Sequence, residues 1–495
     1  MKILHISDSH VGGEKSFNRS SLDRALQELQ AKEFDLLIHS GDVTQDGKAS
    51  QFRKAAEIFK DCPIPKVIIP GNHDKRSGGL PLFEEAIGPS RGVKEVNGTL
   101  VVFVDSAVND SDIGRVGTVQ FDMMKEALYS HYEDAVKIVV LHHHTVPVPR
   151  SGRERNVLSN AGDLLDLFLS SEVDLVLAGH RHFPNLYRIE NTIFVNAGTV
   201  SDRKTRYGDL NSYNILRIDE DETSVKIKRV DGDVRQTVFP RSKKRIFYDF
   251  GERRARLAQL SNTYISHSRN FLESHFRNAV HYINEADVDL VLHCGGVVEE
   301  GLARNYNLAE PLLEEIEPPI VYTPAARDIN YLGYRLFSEY LGEFDQSLVQ
   351  DGVFLKGVSS TQYDSQVGVI GETERKNIFA DMNAREEKVK VLFLHHNVLP
   401  IPHSREKGLL EDGGDLLRGA VDNGIDLILT GTSSHPFATR VNGTVVANAN
   451  SVSSPYQRSL YGNSFNLIDI YQKAIVVSDI NSLWGIRRIL GVWSR

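Results

Sequence analysis

The chain is predicted to be an α/β protein made of two copies of one domain. Short apolar runs of strand length alternate with segments of helical spacing. Several of the apolar runs end directly in a polar cluster. The pattern then restarts in the second half, where a constant offset of 254 residues relates Tyr264 to His10 and Gly296 to Asp42. Self-similarity at that scale is the mark of domain duplication.

The first half carries the clearer pattern. Residues 2–7 read as a strand ending in Asp8-Ser9-His10, and residues 20–32 as a helix with Leu22, Ala25 and Leu29 on one face. Leu36–Ser40 is a buried strand that runs into a glycine turn, Gly41-Asp42. Residues 48–60 form a second helix. Pro63 and Pro65 frame the entry to the strand Val67–Ile69, which ends in Pro70-Gly71-Asn72-His73-Asp74. After β-elements at 93–105 and a helix near 118–130, the strand Lys137–Leu141 ends in His142-His143-His144. A helix follows at about 160–170. The strand Asp174–Ala178 then ends in Gly179-His180-Arg181-His182, and short β-runs over 186–230 close the sheet. Loops at the carboxyl ends of α/β strands converge on one crevice, so these distant segments can deliver side chains to a single site.

The bulk properties narrow the function classes. The 495 residues carry a net charge of −9, with 41% hydrophobic and 25% charged residues, as in an ordinary soluble globular protein. An acidic chain has no basic field with which to bind nucleic acid without regard to sequence. The two cysteines, Cys62 and Cys294, are not at equivalent places in the two copies, which points to free thiols in a reducing compartment. Neither a signal segment nor a membrane-length apolar run is visible, so a cytoplasmic location is expected. Asn97-Gly98 and Asn442-Gly443 are read as hairpin turns.

The chemistry-bearing set is Asp8, His10, Asp42, Asn72, His142, His180 and His182. Imidazoles, carboxylates and an amide oxygen without thiolate suit Mn, Fe, Zn, Ni or Co. Seven ligands are too many for one ion and fit two ions that share a carboxylate. Such pairs, roughly 3.5–4 Å apart, serve in-line phosphoryl displacement by lowering the pKa of a shared water. His73 follows a ligand position and is placed to protonate a leaving oxygen or stabilise the phosphate. Lys75, Arg76, Arg150, Arg153, Arg155, Arg203, Lys204 and Arg206 lie close by and read mostly as solvated loop surface, with one or two reaching substrate.

Asp8-x-His10, Gly41-Asp42, Gly71-Asn72-His73-Asp74, the His142 segment and Gly179-His180-x-His182 resemble the calcineurin-like metallophosphoesterases over residues 1–230. The resemblance implies four-layer α/β/β/α sandwiches, a hydrolase and two divalent or trivalent metal ions. Asp8, His10 and His182 would hold one ion, Asn72, His142 and His180 the other, and Asp42 would bridge them. His143 would lie just behind as a residue orienting a ligand or touching phosphate, a contact shared with Asn72 and His73. His142-His143-His144-Thr145-Val146-Pro147 and Val104-Asp105-Ser106 are similar to the cyclic-nucleotide phosphodiesterases of the superfamily. They imply a phosphodiester substrate such as a 3′,5′-cyclic nucleotide. His10-Val11-Gly12 resembles a nuclease branch instead, and phosphomonoesterase or nucleotide pyrophosphatase activity would use the same site.

The expected organisation is a catalytic domain at 1–238, a linker at 239–246 and a degenerate copy at 247–495. In that copy Asp8 is replaced by Asn262, His10 by Tyr264, Asp42 by Gly296, Asn72 by Ala326, His180 by Thr432 and His182 by Ser434. Only His395 keeps a ligand position, so no metal is expected there. The second domain would be structural or would mediate a homodimer; the alternative is a pseudo-enzyme in a regulatory or scaffold protein. The stretch Leu483–Trp493 has the makings of an interfacial amphipathic helix, but its two glycines favour packing onto the protein or a partner.

Overall fold

The computed structural model describes residues 1–495 except 131–134, 153–156, 242–248, 364, 405–407 and 457–458. Arg153, Arg155 and linker residues 242–246 therefore lie outside the described residues. The chain divides into two compact units, Met1–Arg245 and Ile246–Arg495.

In the first unit β1 (Lys2–Ile6), α1 (Arg19–Ala31), β2 (Leu36–His39), α2 (Ala49–Lys60), β3 (Lys66–Ile68) and α3 (Leu80–Ala86) come first. They are followed by β4 (Gly92–Val96), β5 (Thr99–Phe103), α4 (Thr118–Ser130), β6 (Val136–Val140), α5 (Ala161–Ser170) and β7 (Leu175–Ala178). The antiparallel closure comprises β8 (Asn185–Ile189), β9 (Thr192–Asn196), β10 (Ser212–Ile218), β11 (Glu222–Arg229) and β12 (Val234–Pro240). One sheet runs β12-β11-β10-β1-β2-β3, with β1, β2 and β3 parallel. The other runs β8-β9-β7-β6-β5-β4, with β5, β6, β7 and β9 parallel. Phe239 and Pro240, expected in the linker, instead finish the edge strand β12, where proline's missing N–H costs no central ladder bond.

Side-chain alternation builds the layers. Ile3, Leu36 and Ile38 point between the sheets and meet Val101, Ile138, Val140, Leu175 and Leu177 from the second sheet. Their neighbours Leu4, Ile6 and Leu37 point outward and pack on Leu22, Ala25 and Leu29 of α1 and Phe52, Ala55 and Phe59 of α2. On the far face α5 covers the second sheet, with the ring of Phe168 6.4 Å from that of Phe194 on β9. The result is helix, sheet, sheet, helix. The Asn97-Gly98 turn joining β4 and β5 has positive φ at both residues, 50° and 72°, the geometry that matches strand twist.

Glu28 on α1 ties the helix to the sheet. Its carboxylate meets Lys32 at 2.9 Å, the Tyr213 hydroxyl at 3.0 Å and Lys228. Burial works against the charged form, but the bonds from Lys228, Lys32 and Tyr213 outweigh it and hold the carboxyl at about 2 instead of 4.5. A depressed carboxyl pKa contributes stability that is present above pH 4.5 and is lost as pH falls toward 2. With solvent screening at the lysines, about 1–2 kcal/mol is at stake. Urea unfolding should show wild type more stable than Glu28→Gln at pH 6, with the gap closing near pH 2.

The second unit has strands β13 (Arg253–Leu260), β14 (Leu290–His293), β15 (Ile320–Tyr322), β16 (Ser347–Gln350), β17 (Val353–Gly357) and β18 (Val389–Phe393). They continue as β19 (Leu427–Thr430), β20 (Phe437–Val441), β21 (Thr444–Asn448), β22 (Ser464–Tyr471), β23 (Ala474–Asn481) and β24 (Arg487–Ser494). Their orders, β24-β23-β22-β13-β14-β15 and β20-β21-β19-β18-β17-β16, follow those of the first unit strand for strand. The Leu483–Trp493 stretch is not a helix. Gly485, at φ 66°, turns the chain and β24 pairs antiparallel with β23, burying Trp493 while Trp484 stays 73% exposed. Both cysteines are free thiols. No helix among the described residues is long and apolar enough to cross a membrane.

Candidate metal centre

The strands of the first unit deliver the polar clusters to one place. β1 ends two residues before Asp8, β2 three before Asp42, β6 two before His142, and β7 two before His180. Asp8, His10, Asp42, His180 and His182 all sit in the left-handed region, with φ of 53°, 47°, 53°, 73° and 52°. Each such residue costs about 1–2 kcal/mol, and concentrations of such strain mark functional sites. The surrounding backbone holds them there: Asp8 N–H donates to Gly41 O at 2.9 Å and His10 N–H to Asp42 O at 3.0 Å. Two glycines are required by close approach. A Cβ on Gly41 would lie 2.5 Å from His142 Nδ1, and one on Gly179 would lie 1.9 Å from Ser7 Oγ.

Asp74 fastens the Asp42 turn to the Asn72 loop. Its buried carboxylate accepts from Val43 N–H at 2.8 Å, Thr44 N–H and hydroxyl at 2.7 Å each, and Gly71 N–H at 2.9 Å. His73 N–H in turn donates to Asp42 Oδ1 at 2.8 Å.

The side chains form two groups around Asp42. In the first, His10 Nε2 and His182 Nε2 face each other at 3.1 Å, with Asp8 Oδ1 3.3 Å from His182 Nε2. In the second, His142 Nε2 and His180 Nδ1 each lie 3.1 Å from Asn72 Oδ1. Asp42 Oδ2 stands between them, 3.7 Å from His10 Nε2 and 3.4 Å from His142 Nε2. Nδ1 of His142 donates to Ser40 O at 2.8 Å and Nδ1 of His182 to Lys204 O at 2.7 Å, so both Nε2 atoms face inward. Inward-facing imidazole nitrogens and a buried Asp8 Oδ1 with no well-formed hydrogen bond call for a cation, a proton or a metal ion, among them. The donor set therefore fits a metal centre of mixed nitrogen and oxygen ligands.

The electrostatics agree. Burial, helped by facing His182 and His73, pushes His10 down to about 3, so its imidazole is neutral and free to ligate. Burial opposes the charge on Asp42, but His142, His73 and His10 pull it well below the usual carboxylate range. For His142, burial is outweighed by Asp42 and Asp8, which raise it to about 9. A cation at this place would meet the same field that now favours the proton.

His73 lies at the rim of the first group. Its ring stands edge-on to His10 with centroids 4.5 Å apart, and its Nδ1 donates to Gln45 O at 2.7 Å, leaving Nε2 for other partners. His143 is turned away from Asp42. Its Nδ1 meets Ser106 Oγ at 3.0 Å, and its ring packs 4.4 Å from that of His180.

Some contributors were not read from the sequence. Asp202 Oδ2 lies 3.8 Å from His10 Nε2 and 3.9 Å from His182 Nδ1. Asp112 Oδ1 accepts from Asn72 Nδ2 at 2.8 Å and so aims the amide oxygen inward. Neither follows an apolar strand, so the strand-end pattern that found the others passes over them. Asp112→Ala is expected to weaken metal binding about 10–100-fold, read by competition with a chelating dye. Lys75, read as solvated surface, is buried instead; its Nζ meets Asp105 Oδ2 at 2.7 Å and Ala107 O at 2.8 Å.

Comparison with known proteins agrees with this geometry. Residues 1–184 match the family model for calcineurin-like phosphoesterases. The 3′,5′-cyclic adenosine monophosphate phosphodiesterase CpdA of Haemophilus influenzae is 28% identical over 194 residues, covering 37% of this chain and 70% of that one. CpdA of Escherichia coli is 28% identical over 193 residues, again 37% and 70%. A probable cyclic nucleotide phosphodiesterase of Coxiella burnetii is 25% identical over 207 residues, covering 40% of this chain and 82% of the relative. The chain carries a calcineurin-like phosphoesterase domain and is a metal-dependent phosphoesterase.

Proposed function

We propose that this calcineurin-like phosphoesterase hydrolyses a phosphodiester, in particular a 3′,5′-cyclic nucleotide, at a dinuclear centre in its first unit. Asp8, His10 and His182 would hold one ion and Asn72, His142 and His180 the other, with Asp42 shared between the two groups. The observation that carries this reading is the position of Asp42 Oδ2, within 3.7 Å of His10 and 3.4 Å of His142, between two groups of inward-facing nitrogen and oxygen atoms. When bound, the ions supply an activated water and offset the charge that grows on phosphate oxygens. Asn72 presents its oxygen because Asp112 takes its N–H. His73 presents Nε2 beside His10, where it gives a proton to the departing oxygen. His143 is held by Ser106 behind His180 and keeps that ligand in place. The diester preference and the cyclic-nucleotide class are supported by the cyclic-nucleotide phosphodiesterases among its relatives.

The second unit is proposed to be a degenerate, metal-free copy. Its matching strand orders support this. So do Asn262 and Tyr264, which keep φ of 50° and 51° at the places of Asp8 and His10. Asp328 accepts from Gly296 N–H and Ala325 N–H at 2.8 Å each and from Val298 N–H at 3.0 Å; the last two match the Gly71 and Thr44 bonds of Asp74 in the first unit. His395 Nδ1 meets Cys294 O at 2.7 Å as His142 meets Ser40. The turn-building residues persist while the carboxylates at the places of Asp8 and Asp42 are gone.

The deciding experiment is a manganese-supplemented substrate panel of cyclic nucleotides, glycerophosphodiesters, nucleotide pyrophosphates, phosphomonoesters and single-stranded DNA, with and without chelator. Chelator-sensitive turnover led by cyclic nucleotides is expected. Turnover confined to monoesters, pyrophosphates or DNA would move the site to that class, and none at all with metal bound would favour a scaffold.

A further inference from the structure

We propose that Tyr207, Phe183 and Arg150 form a stacking platform for the base of a nucleotide substrate, beside the loop that carries His180 and His182. This rests on the phosphodiesterase reading above and names the part of the substrate that the ligand residues do not touch. Phe183 follows His182 directly in the chain. The Arg150 guanidinium carbon lies 6.0 Å from the centroid of the Phe183 ring and 5.9 Å from that of Tyr207, so one planar cation spans two aromatic rings.

Two loops are fastened to the ligand loop so that these groups meet. Arg181 donates to Ser151 O, which pins the loop bearing Arg150. His182 Nδ1 donates to Lys204 O at 2.7 Å, which pins the loop bearing Tyr207. Tyr207 is 72% exposed and has φ 51°, and Arg150 has φ 56°. A bulky residue at positive φ is an outlier, and an exposed ring held that way gains nothing from the core in return. The turn closed by Asp209 N–H on Arg206 O at 2.9 Å presents the ring outward.

Among the described residues, the loop that carries Tyr207 is rich in cations. Arg203 and Lys204 are exposed and Arg206 is half-buried in the same loop. The two carboxylates of that loop are engaged: Asp202 faces His10 and His182, and Asp209 pairs with Arg229 at 2.6 Å. Aromatic faces interleaved with guanidinium groups take a flat π-system carrying a negative charge, which a nucleotide is and a glycerol diester is not.

The test compares wild type, Tyr207→Ala, Tyr207→Phe and Arg150→Ala as full-length, manganese-loaded protein. The substrates are 3′,5′-cyclic AMP and the base-free diester glycerophosphoglycerol. Tyr207→Ala should raise KM for cyclic AMP roughly tenfold, as loss of one base–aromatic stack does, while kcat and KM for glycerophosphoglycerol stay within about twofold. Tyr207→Phe should behave as wild type and Arg150→Ala should lie between. An unchanged KM for cyclic AMP in Tyr207→Ala would overturn the platform, as would an equal loss on both substrates. Calorimetric titration of the metal-free proteins with cyclic AMP gives an independent readout, with affinity lower by the same factor in Tyr207→Ala. If wild type turned over no cyclic nucleotide, the cyclic-nucleotide reading would fall by itself, whatever happened with glycerophosphoglycerol. The calorimetry would still judge the platform, and equal affinities there would sink it.

Discussion

Asp42→Ala is expected to lower turnover of bis(p-nitrophenyl) phosphate by about 10³-fold or more, because several kcal/mol of charge stabilisation would depend on the ions it is proposed to share. Bound metal, measured by mass spectrometry after dialysis against manganese, should fall from about two ions per chain to one or fewer. The reason is geometric. Asp42 Oδ2 is the carboxylate oxygen that stands between the His10 and His142 groups. Without it the two imidazole sets remain, but the field that draws a cation between them is gone. The fold should survive, since Asp42 Oδ1 anchors one backbone N–H, that of His73. Undiminished turnover in Asp42→Ala would remove the dinuclear assignment altogether.

Asp74→Ala should act on the architecture. The carboxylate accepts from three backbone N–H groups and one hydroxyl, all buried, and each orphaned donor costs about 1–3 kcal/mol. These costs are not additive, so a net destabilisation of about 3–5 kcal/mol is expected. For a unit of this size that lowers the thermal midpoint by roughly 10 °C. Turnover should fall as well, because the Asp42 turn and the Asn72 loop lose their common anchor. Asp74→Ala and Asp42→Ala are thus separable. The first changes the melting curve and the second leaves it nearly in place. A melting curve for Asp74→Ala superimposable on that of wild type would refute the anchoring role.

The candidate ligands were legible because each follows an apolar run that can only be a buried strand, and strand ends in α/β architecture share a crevice. Asp8, His10, Asp42, Asn72, His142, His180 and His182 do come together, and His142 rather than His143 faces Asp42. The supporting residues lacked that sign. Asp112 and Asp202 lie in connections whose course depends on what they pack against. Lys75 looked like loop surface because its partner Asp105 is thirty residues away. The Leu483–Trp493 stretch could be read as a helix from its mix of tryptophan and arginine. In the fold, the open edge of β23 supplied a ladder of backbone partners, and the stretch became β24.

Local patterning by itself determined the alternation of strands and helices, the glycine turns and which side chains are candidate ligands. These follow from periodicity and from backbone conformations that few residues tolerate. Only the tertiary structure decided how those side chains are aimed. The tautomers of His142 and His182 are set by carbonyls of Ser40 and Lys204, the rotation of Asn72 by Asp112, and the outward stance of Tyr207 by the loop that His182 holds. Such contacts join residues far apart in the chain, and their partners are fixed by packing rather than by spacing.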